Sequence, residues 1–395
     1  MKSLHDQFWQ HQAQTTSSPI GLEVERAEGL YIYGTNGKQY MDMISGVAVS
    51  NIGHRHPKVL EAIRKQLDSH LHVMVYGEYL QTTQAQLAEK LTCNLPDPLD
   101  CVYFVNSGAE AIEGAMKLVR RVTGRSKILA AHRSYHGNTM GALSISGNET
   151  KKSAFRPLIP DVGFIHFNHL EDLQKIDATT AGVVLETVQG DAGVRLPSAE
   201  YLKAVKAQCE RVGALLVLDE IQTGFGRTGS LFAFQQFGVV PDVVAMAKGM
   251  GGGMPIGAFA AAKPHMEQLT HQPMLGHITT FGGHPVNCAA GLANLEVLLK
   301  EDWIAQASEK GNRIAAHLNQ HPKVKEVRHL GLMFAVELEN FDEVYRLFQY
   351  CLEHGVIGFW FLSSNNSFRL APPLCITTEE IDAACAVIQA GLDTL

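Results

Sequence analysis

The run LLVLDEIQTGFGRTG, residues 215–229, decides how this chain is read. Four apolar residues, Leu215 to Leu218, form a strand-like stretch that ends abruptly in Asp219 and Glu220. Gly224, Gly226 and Gly229 then spell G-x-G-x-x-G, the spacing that can cradle a dinucleotide after a strand. That fingerprint also needs a following helix and, about twenty residues on, a strand ending in an acid. Only the short SLFAFQQFG (230–238) follows here, and the next strand ends at Lys248. The glycines therefore read as a tight loop, and the strand end with Asp219 becomes the informative feature.

Working outward, the same strand-then-polar pattern repeats. CVYFVN (101–106), SKILAAH (126–132), GVVLETV (182–188), ALLVLDEI (214–221) and DVVAMAK (242–248) alternate with helical stretches such as EAIEGAMKLVRRV (110–122) and AEYLKAVKAQCERVG (199–213). Such alternation predicts an α/β fold with a mostly parallel sheet covered by helices on both faces. Residues 20–44 alternate apolar and polar positions around Asn36-Gly37, which predicts a small antiparallel meander. Helical periodicity follows in HPKVLEAIRKQLDSH (56–70) and TTQAQLAEKLTCNL (82–95). A long helix after Pro285 leads to strands in VKEVRHLGLMFAVEL (324–338) and SFRLAPPL (367–374), a helix near 341–354 and a closing helix. The expected organisation is an N-terminal segment (1–50) joining a smaller α+β domain (286–395), with a large domain (51–285) between them.

With 395 residues, two domains are expected. The chain is 46% hydrophobic and 18% charged, an ordinary globular balance. Its 33 Lys+Arg against 40 Asp+Glu give a net charge of -7, without the basic excess of a nucleic-acid footprint. No apolar run is long enough to span a membrane, and MKSLHDQFWQHQAQ lacks a signal core, so a cytoplasmic location is expected. The 7 cysteines form no C-x-x-C, and the 18 histidines form no H-E-x-x-H, so reduced thiols and no metal are expected.

Ligands of open parallel sheets sit beyond the carboxyl ends of the strands. Those ends carry Ser107-Gly108-Ala109-Glu110, Tyr135-His136-Gly137, Glu186, Asp219 with Gln222, and Lys248. Ser107 and Glu110 have capping-box spacing, and Gly108 would let a phosphate approach the free N–H groups of the helix start. Alone, that is a capped helix. Lys248 precedes GMGGG, which is no P-loop because no G-K-[ST] closes it. An apolar setting lowers a lysine's pKa, and the neutral amine can form a Schiff base with an aldehyde. A carboxylate such as Asp219 can keep a pyridine nitrogen protonated, so that the ring accepts carbanion electrons. Lysine, aspartate and phosphate-ready helix on one rim describe a pyridoxal-phosphate site.

With those residues in hand, the chain resembles the class III pyridoxal-phosphate aminotransferases of the acetylornithine, ornithine and 4-aminobutyrate type. NSGAEA, SYHG, LVLDEIQTGFGRTG, AKGMGGGMPIGA and TTFGGHPVNCAA match the family's motifs in order, and the likeness runs from residue 29 to residue 374. It implies fold type I, with a seven-stranded, mostly parallel sheet in the large domain, and a homodimer with shared active sites. Lys248 would be the Schiff-base lysine and proton carrier, and Asp219 would pair with the pyridine nitrogen. Gln222 would contact the ring hydroxyl. Tyr135 would stack on the ring. Ser107, Gly108 and Ala109 would bind the phosphate, with Thr280 contributed by the partner subunit. Arg369 would grip a substrate carboxylate as a bidentate fork. Asn138 and Thr279 would border the substrate, and Glu186 and Asp191 would stand behind the contacting residues.

The chain also departs from the family pattern. Asn138 stands where acetylornithine and ornithine enzymes carry an arginine that binds substrate, and Arg133 and Arg156 are the candidates to replace it. Thr187 replaces a proline. Asp191 replaces a glutamate, and its shorter side chain should reach Arg369 less well. Thr279 takes a common serine position. HVMVYGEY (72–79) brings aromatics to the edge of the pocket. The resemblance implies amino transfer in two half-reactions between a small amino donor and an oxo acid. An aminomutase or decarboxylase of the same fold is the alternative. The misplaced lysine argues against a nicotinamide oxidoreductase, and the retained Lys248, Asp219, Gln222 and Thr280 argue against a non-catalytic binding protein.

Overall fold

The computed structural model describes residues 3–395. A first helix, Leu4–His11, precedes the meander of β1 (Val24–Glu28), β2 (Tyr31–Gly34) and β3 (Gln39–Asp42). Asn36-Gly37 makes the turn as expected. Gly37 takes φ 74°, and the Asn36 carboxamide oxygen accepts from Lys38 N at 3.0 Å. Helices Pro57–Ser69 and Thr82–Thr92 follow, the first with its proline at a position where no N–H is needed.

The main layer is a seven-stranded sheet of β4 (Cys101–Val105), β5 (Lys127–Ala131), β6 (Val162–Ile165), β7 (Thr180–Glu186), β8 (Leu215–Asp219), β9 (Val243–Met246) and β10 (Gly257–Ala261). Their spatial order is β4-β10-β9-β8-β7-β5-β6. β10 runs antiparallel to both β4 and β9, and the other pairs are parallel. Every residue of β7, β9 and β10 is buried, which explains why, apart from Glu186 at the end of β7, they carry only apolar or small residues. Two of these strands, β6 and β10, do not stand out in the sequence. VGFI is short, and GAFAA lacks the β-branched residues that mark a strand. The fit to the helix Gly108–Thr123 is close: a Cβ on Gly114 of the helix would sit 2.3 Å from the Phe259 ring of β10, and a Cβ on Gly257 of β10 would meet Ser107 O at 2.3 Å.

The helix Pro285–Lys300 is buried along most of its length and packs on Pro57–Ser69. Beyond the helix Trp303–Leu318 come β11 (Glu326–Leu330), β12 (Met333–Glu337), the helix Phe341–Glu353, β13 (Val356–Ile357), β14 (Phe359–Trp360), β15 (Ser367–Leu370) and the helix Thr378–Leu392. β11-β12-β15-β14 form an antiparallel sheet, while β13 pairs in parallel with β3 and so draws the N-terminal meander to the C-terminal region.

The glycine-rich loop after β8 turns out to be a structural hub. Gly226 and Gly229 take φ 87° and 94°, as a tight loop requires. Between them Arg227 is wholly buried and donates to Leu332 O at 3.0 Å, to Pro372 O, and to Asn51 Oδ1 at 2.7 Å. One guanidinium therefore ties the loop to the segment after β3, to the β11–β12 turn and to the chain after β15. Burial pushes its pKa down to about 9, with the Asp42 charge opposing that fall. Among the described residues no helix is long and apolar enough to cross a membrane, and no group of three or more His, Cys, Asp or Glu could hold a metal ion.

Candidate active site

A cavity of about 470 Å³ opens where the carboxyl ends of β5, β7, β8 and β9 meet the start of the helix Gly108–Thr123. That size suits a cofactor with a small substrate. Ser107, Gly108, Ala109, Tyr135, Asn138, Glu186, Asp191, Asp219, Gln222 and Lys248 all line it, although they lie far apart in sequence. Arg369, Thr279 and Thr280 are not among its lining residues.

The helix start is built partly as its sequence predicts. Ser107 Oγ accepts from Glu110 N at 3.2 Å. The reciprocal half of the capping box is missing, because the Glu110 carboxylate goes one residue further back, accepting from Asn106 N at 2.7 Å and from Asn106 Nδ2 at 2.8 Å. Asn106 Nδ2 also donates to Thr279 Oγ1 at 2.8 Å, so Thr279 braces the helix start. The first N–H groups of a helix lack intrahelical partners, so those of Gly108 and Ala109 form an anion seat. Gly108 is required there: a Cβ would meet Ile221 side-chain atoms at 2.9 Å.

Asp219 ends β8 with both oxygens engaged. Oδ2 lies 2.8 Å from His136 Nδ1, and Oδ1 accepts from Ile221 N at 3.0 Å. The neighbouring Glu186 accepts from Tyr135 N and Gly190 N, each at 2.6 Å, yet burial lifts its pKa to about 7. Gln222 has a buried Nε2 without any hydrogen-bond partner, a donor left free for a ligand.

Lys248 leaves β9 with φ 44°, a backbone conformation side chains rarely adopt. The next residues hold it there. A Cβ on Gly249 would lie 2.2 Å from Asn51 Nδ2, and Asn294 Nδ2 donates to Gly249 O at 2.8 Å. Burial lowers the amine's pKa to about 8, with the Arg369 charge adding to the fall and Asp219, Glu186 and Asp191 opposing it.

Arg369 is buried on β15, with its guanidinium over the Phe361 ring at 4.9 Å from the centroid. Asp191 Oδ1 is 4.0 Å from Arg369 Nη1, beyond hydrogen-bond reach. Its oxygens instead accept from Leu362 N at 3.1 Å and Ser363 Oγ at 2.9 Å. The shorter side chain thus holds the loop before β15. Thr187, in place of proline, donates to the buried Glu220 at 2.7 Å, and Glu220 also accepts from Ala233 N and Phe234 N. Thr280 is exposed on the segment before Pro285.

The sequence reading gave no role to His136, Asn106 or Phe361. His136 stands in SYHG beside Tyr135, but its partner lies 83 residues away, and nothing local signals that contact.

The residues present fit pyridoxal phosphate: a buried amine, a carboxylate braced by a histidine, an unpartnered amide donor and an anion seat share one cavity. The family model for aminotransferase class-III matches residues 12–392. An acetylornithine aminotransferase of Archaeoglobus fulgidus is 40% identical over 367 residues, which are 92% of this chain and 94% of that protein. Its Bacillus subtilis counterpart is 38% identical over 377 residues, 94% of this chain and 95% of that protein. A solved ornithine aminotransferase from Toxoplasma gondii, with partial occupancy of PLP at its active site, superposes with a TM-score of 0.91 at 28% identity, over 99% of this chain and 93% of that one. The chain belongs to the class III aminotransferases, which use pyridoxal phosphate, and it has their fold.

Proposed function

We propose that this aminotransferase moves an amino group from an amino acid or ω-amino compound to a 2-oxo acid in two half-reactions, with its own residues in the following roles. The observation that carries the reading is the buried Lys248 amine in the same cavity as the Asp219–His136 pair. When bound, pyridoxal phosphate supplies an aldehyde that takes the amino group and a ring that accepts the electrons left by the departing proton.

Lys248 Nζ would hold the aldehyde carbon at rest and would then carry the proton on and off the reacting carbon. Its low pKa supports this, since a proton carrier works best near the operating pH. Asp219, fixed by His136, would keep a proton on the ring nitrogen. The free Nε2 of Gln222 would meet the ring hydroxyl. The Ser107–Ala109 helix start would hold the phosphate, and the Tyr135 ring would cover the cofactor face. Arg369 receives the substrate carboxylate, a role supported by a guanidinium that Asp191 leaves without a hydrogen-bonded carboxylate.

The working unit is a homodimer in which Thr280 serves the phosphate seat of the other copy. Leu71, Tyr79, Leu80, Met274, Leu275, Ile278 and Phe281 are exposed apolar residues on two segments, and Met274, Leu275 and Ile278 of one line a groove together with residues 76–78 of the other, a surface suited to a partner. Sedimentation equilibrium should give twice the 43.2 kDa chain mass; a 43.2 kDa species at micromolar concentration would contradict this.

Lys248→Ala should lower turnover by about 10³-fold or more. Asp219→Asn should keep the cofactor yet lose on the order of 10²-fold in turnover. Steady-state kinetics on both variants check this, and a Lys248→Ala enzyme turning over at the wild-type rate would overturn the assignment.

A lysine with a lowered pKa becomes neutral as pH rises through that lowered value. In cofactor-free protein, labelling of Lys248 by an amine-selective reagent should therefore be half-maximal near pH 8, far below ordinary lysines. Peptide mass spectrometry across a pH series reads this directly, and a midpoint shared with exposed lysines would remove the role of burial.

A further inference from the structure

If Asp219 serves the cofactor's ring nitrogen as proposed, the aim of the His136 ring matters, because His136 Nδ1 holds Asp219 Oδ2 at 2.8 Å. The imidazole has no second hydrogen bond to orient it, since its Nε2 is buried without a partner. Its aim therefore depends on how the His136 backbone is held.

A serine just past the helix Met140–Ile145 holds it. His136 N donates to Ser146 Oγ at 3.1 Å, and Ser146 Oγ donates in turn to Ala142 O at 3.0 Å. The segments 133–136 and 145–147 are tied together beside this contact. Arg133 N donates to Gly147 O at 3.0 Å, Gly147 N to Ser134 O at 2.9 Å, and Ser134 Oγ to Ile145 O at 3.3 Å. The fit leaves no slack, because a Cβ on Gly147 would meet Ala131 O at 2.2 Å.

Behind Ser146 lies a buried lysine that does not line the cavity. Lys152 Nζ donates to Ser146 O at 2.8 Å and to Ser144 O at 3.2 Å, with the Phe164 ring of β6 4.2 Å away. Burial lowers its pKa, with the Glu149 charge opposing the fall and the Arg156 charge adding to it. Carbonyls at a helix C-terminus lack intrahelical partners and favour a cation, so the ammonium fixes this helix end. His136, Ser146 and Lys152 are all buried within a single chain, so a second copy adds nothing to these contacts. We propose that Ser146, backed by Lys152, is a positioning residue for the cofactor's ring: it aims His136 at Asp219 and so keeps Asp219 turned to the ring nitrogen.

The test uses holoenzyme reconstituted with pyridoxal phosphate isotopically labelled at the ring nitrogen, whose magnetic resonance reports whether that nitrogen carries a proton. In the wild-type protein it should be protonated. Ser146→Ala, which removes a single oxygen, should release His136 from its aim. The Asp219 carboxylate then turns from the ring or, short of one donor, draws the proton to itself. Either way the resonance should move toward that of neutral pyridine, and kcat with an accepted donor should fall by about tenfold with KM little changed. Ser146→Thr, which keeps the hydroxyl, should retain the wild-type resonance. Lys152→Met should move the resonance in the same direction as Ser146→Ala, by less. A Ser146→Ala protein with a lowered melting temperature but an unmoved resonance would reduce Ser146 to a structural residue and overturn the proposal, leaving the Asp219 role intact. An unprotonated ring nitrogen in the wild-type holoenzyme would instead remove the Asp219 role, and the proposal with it.

Discussion

The desolvation of one lysine amine organises this site. Lys248 sits near three carboxylates that each favour its charged form, yet burial outweighs all three and brings the pKa to about 8. A fall of this size from 10.5 corresponds to about 3 kcal/mol of lost preference for the ammonium form. The fold sustains it through backbone constraint. Lys248 is held at φ 44° between β9 and a glycine cluster, with Asn51 and Asn294 packed against the following residues. Such a strained position persists only where surrounding contacts over-determine it.

Other parts of the structure serve the same cavity from a distance. Glu220 follows Asp219 directly and faces the other way, into the core, where it gathers Thr187, Thr223 and two backbone N–H groups. That internal network fixes the loop after β8, and with it the position of Gln222. Arg227 then anchors the same loop to three separate segments, including the chain after β15. Asp191 supplies a further tie, from the strand-end loop of the main sheet to residues 362–363. The Arg369 guanidinium thus lies at a junction held by buried polar contacts on both sides, which suits a residue that must keep one geometry.

Much of this is legible in the sequence because strand ends are legible. Asp219, Glu186 and Lys248 each close a visible apolar run, and the parallel alternation dictates that such ends share a rim. The helix start at Ser107–Ala109 shows itself through its cap residue and apolar spacing, although the Glu110 half of the cap goes to Asn106 instead. What stays hidden depends on contacts between distant segments. His136 finds Asp219 across the sheet, and Arg227 finds carbonyls more than one hundred residues away. β10 hides for another reason: its glycine answers to Ser107 O, which a Cβ there would meet at 2.3 Å, and local propensity gives no trace of that contact. The replacements of an arginine by Asn138 and a glutamate by Asp191 are visible in the sequence, but only the geometry shows that Arg133 donates to Ser363 O and that Arg156 pairs with Glu149.

The central claim, amino transfer at the Lys248–Asp219 rim, is tested most directly by the visible absorbance of the holoenzyme during a stoichiometric titration. Single amino donors are added without any acceptor, followed by an oxo acid. The predicted result is conversion of the cofactor's visible band by a suitable donor, with release of the matching carbonyl product, and full return of the band when the oxo acid is added. A band that no donor converts, or one that changes with release of carbon dioxide or an isomerised amine and no carbonyl product, would contradict the account.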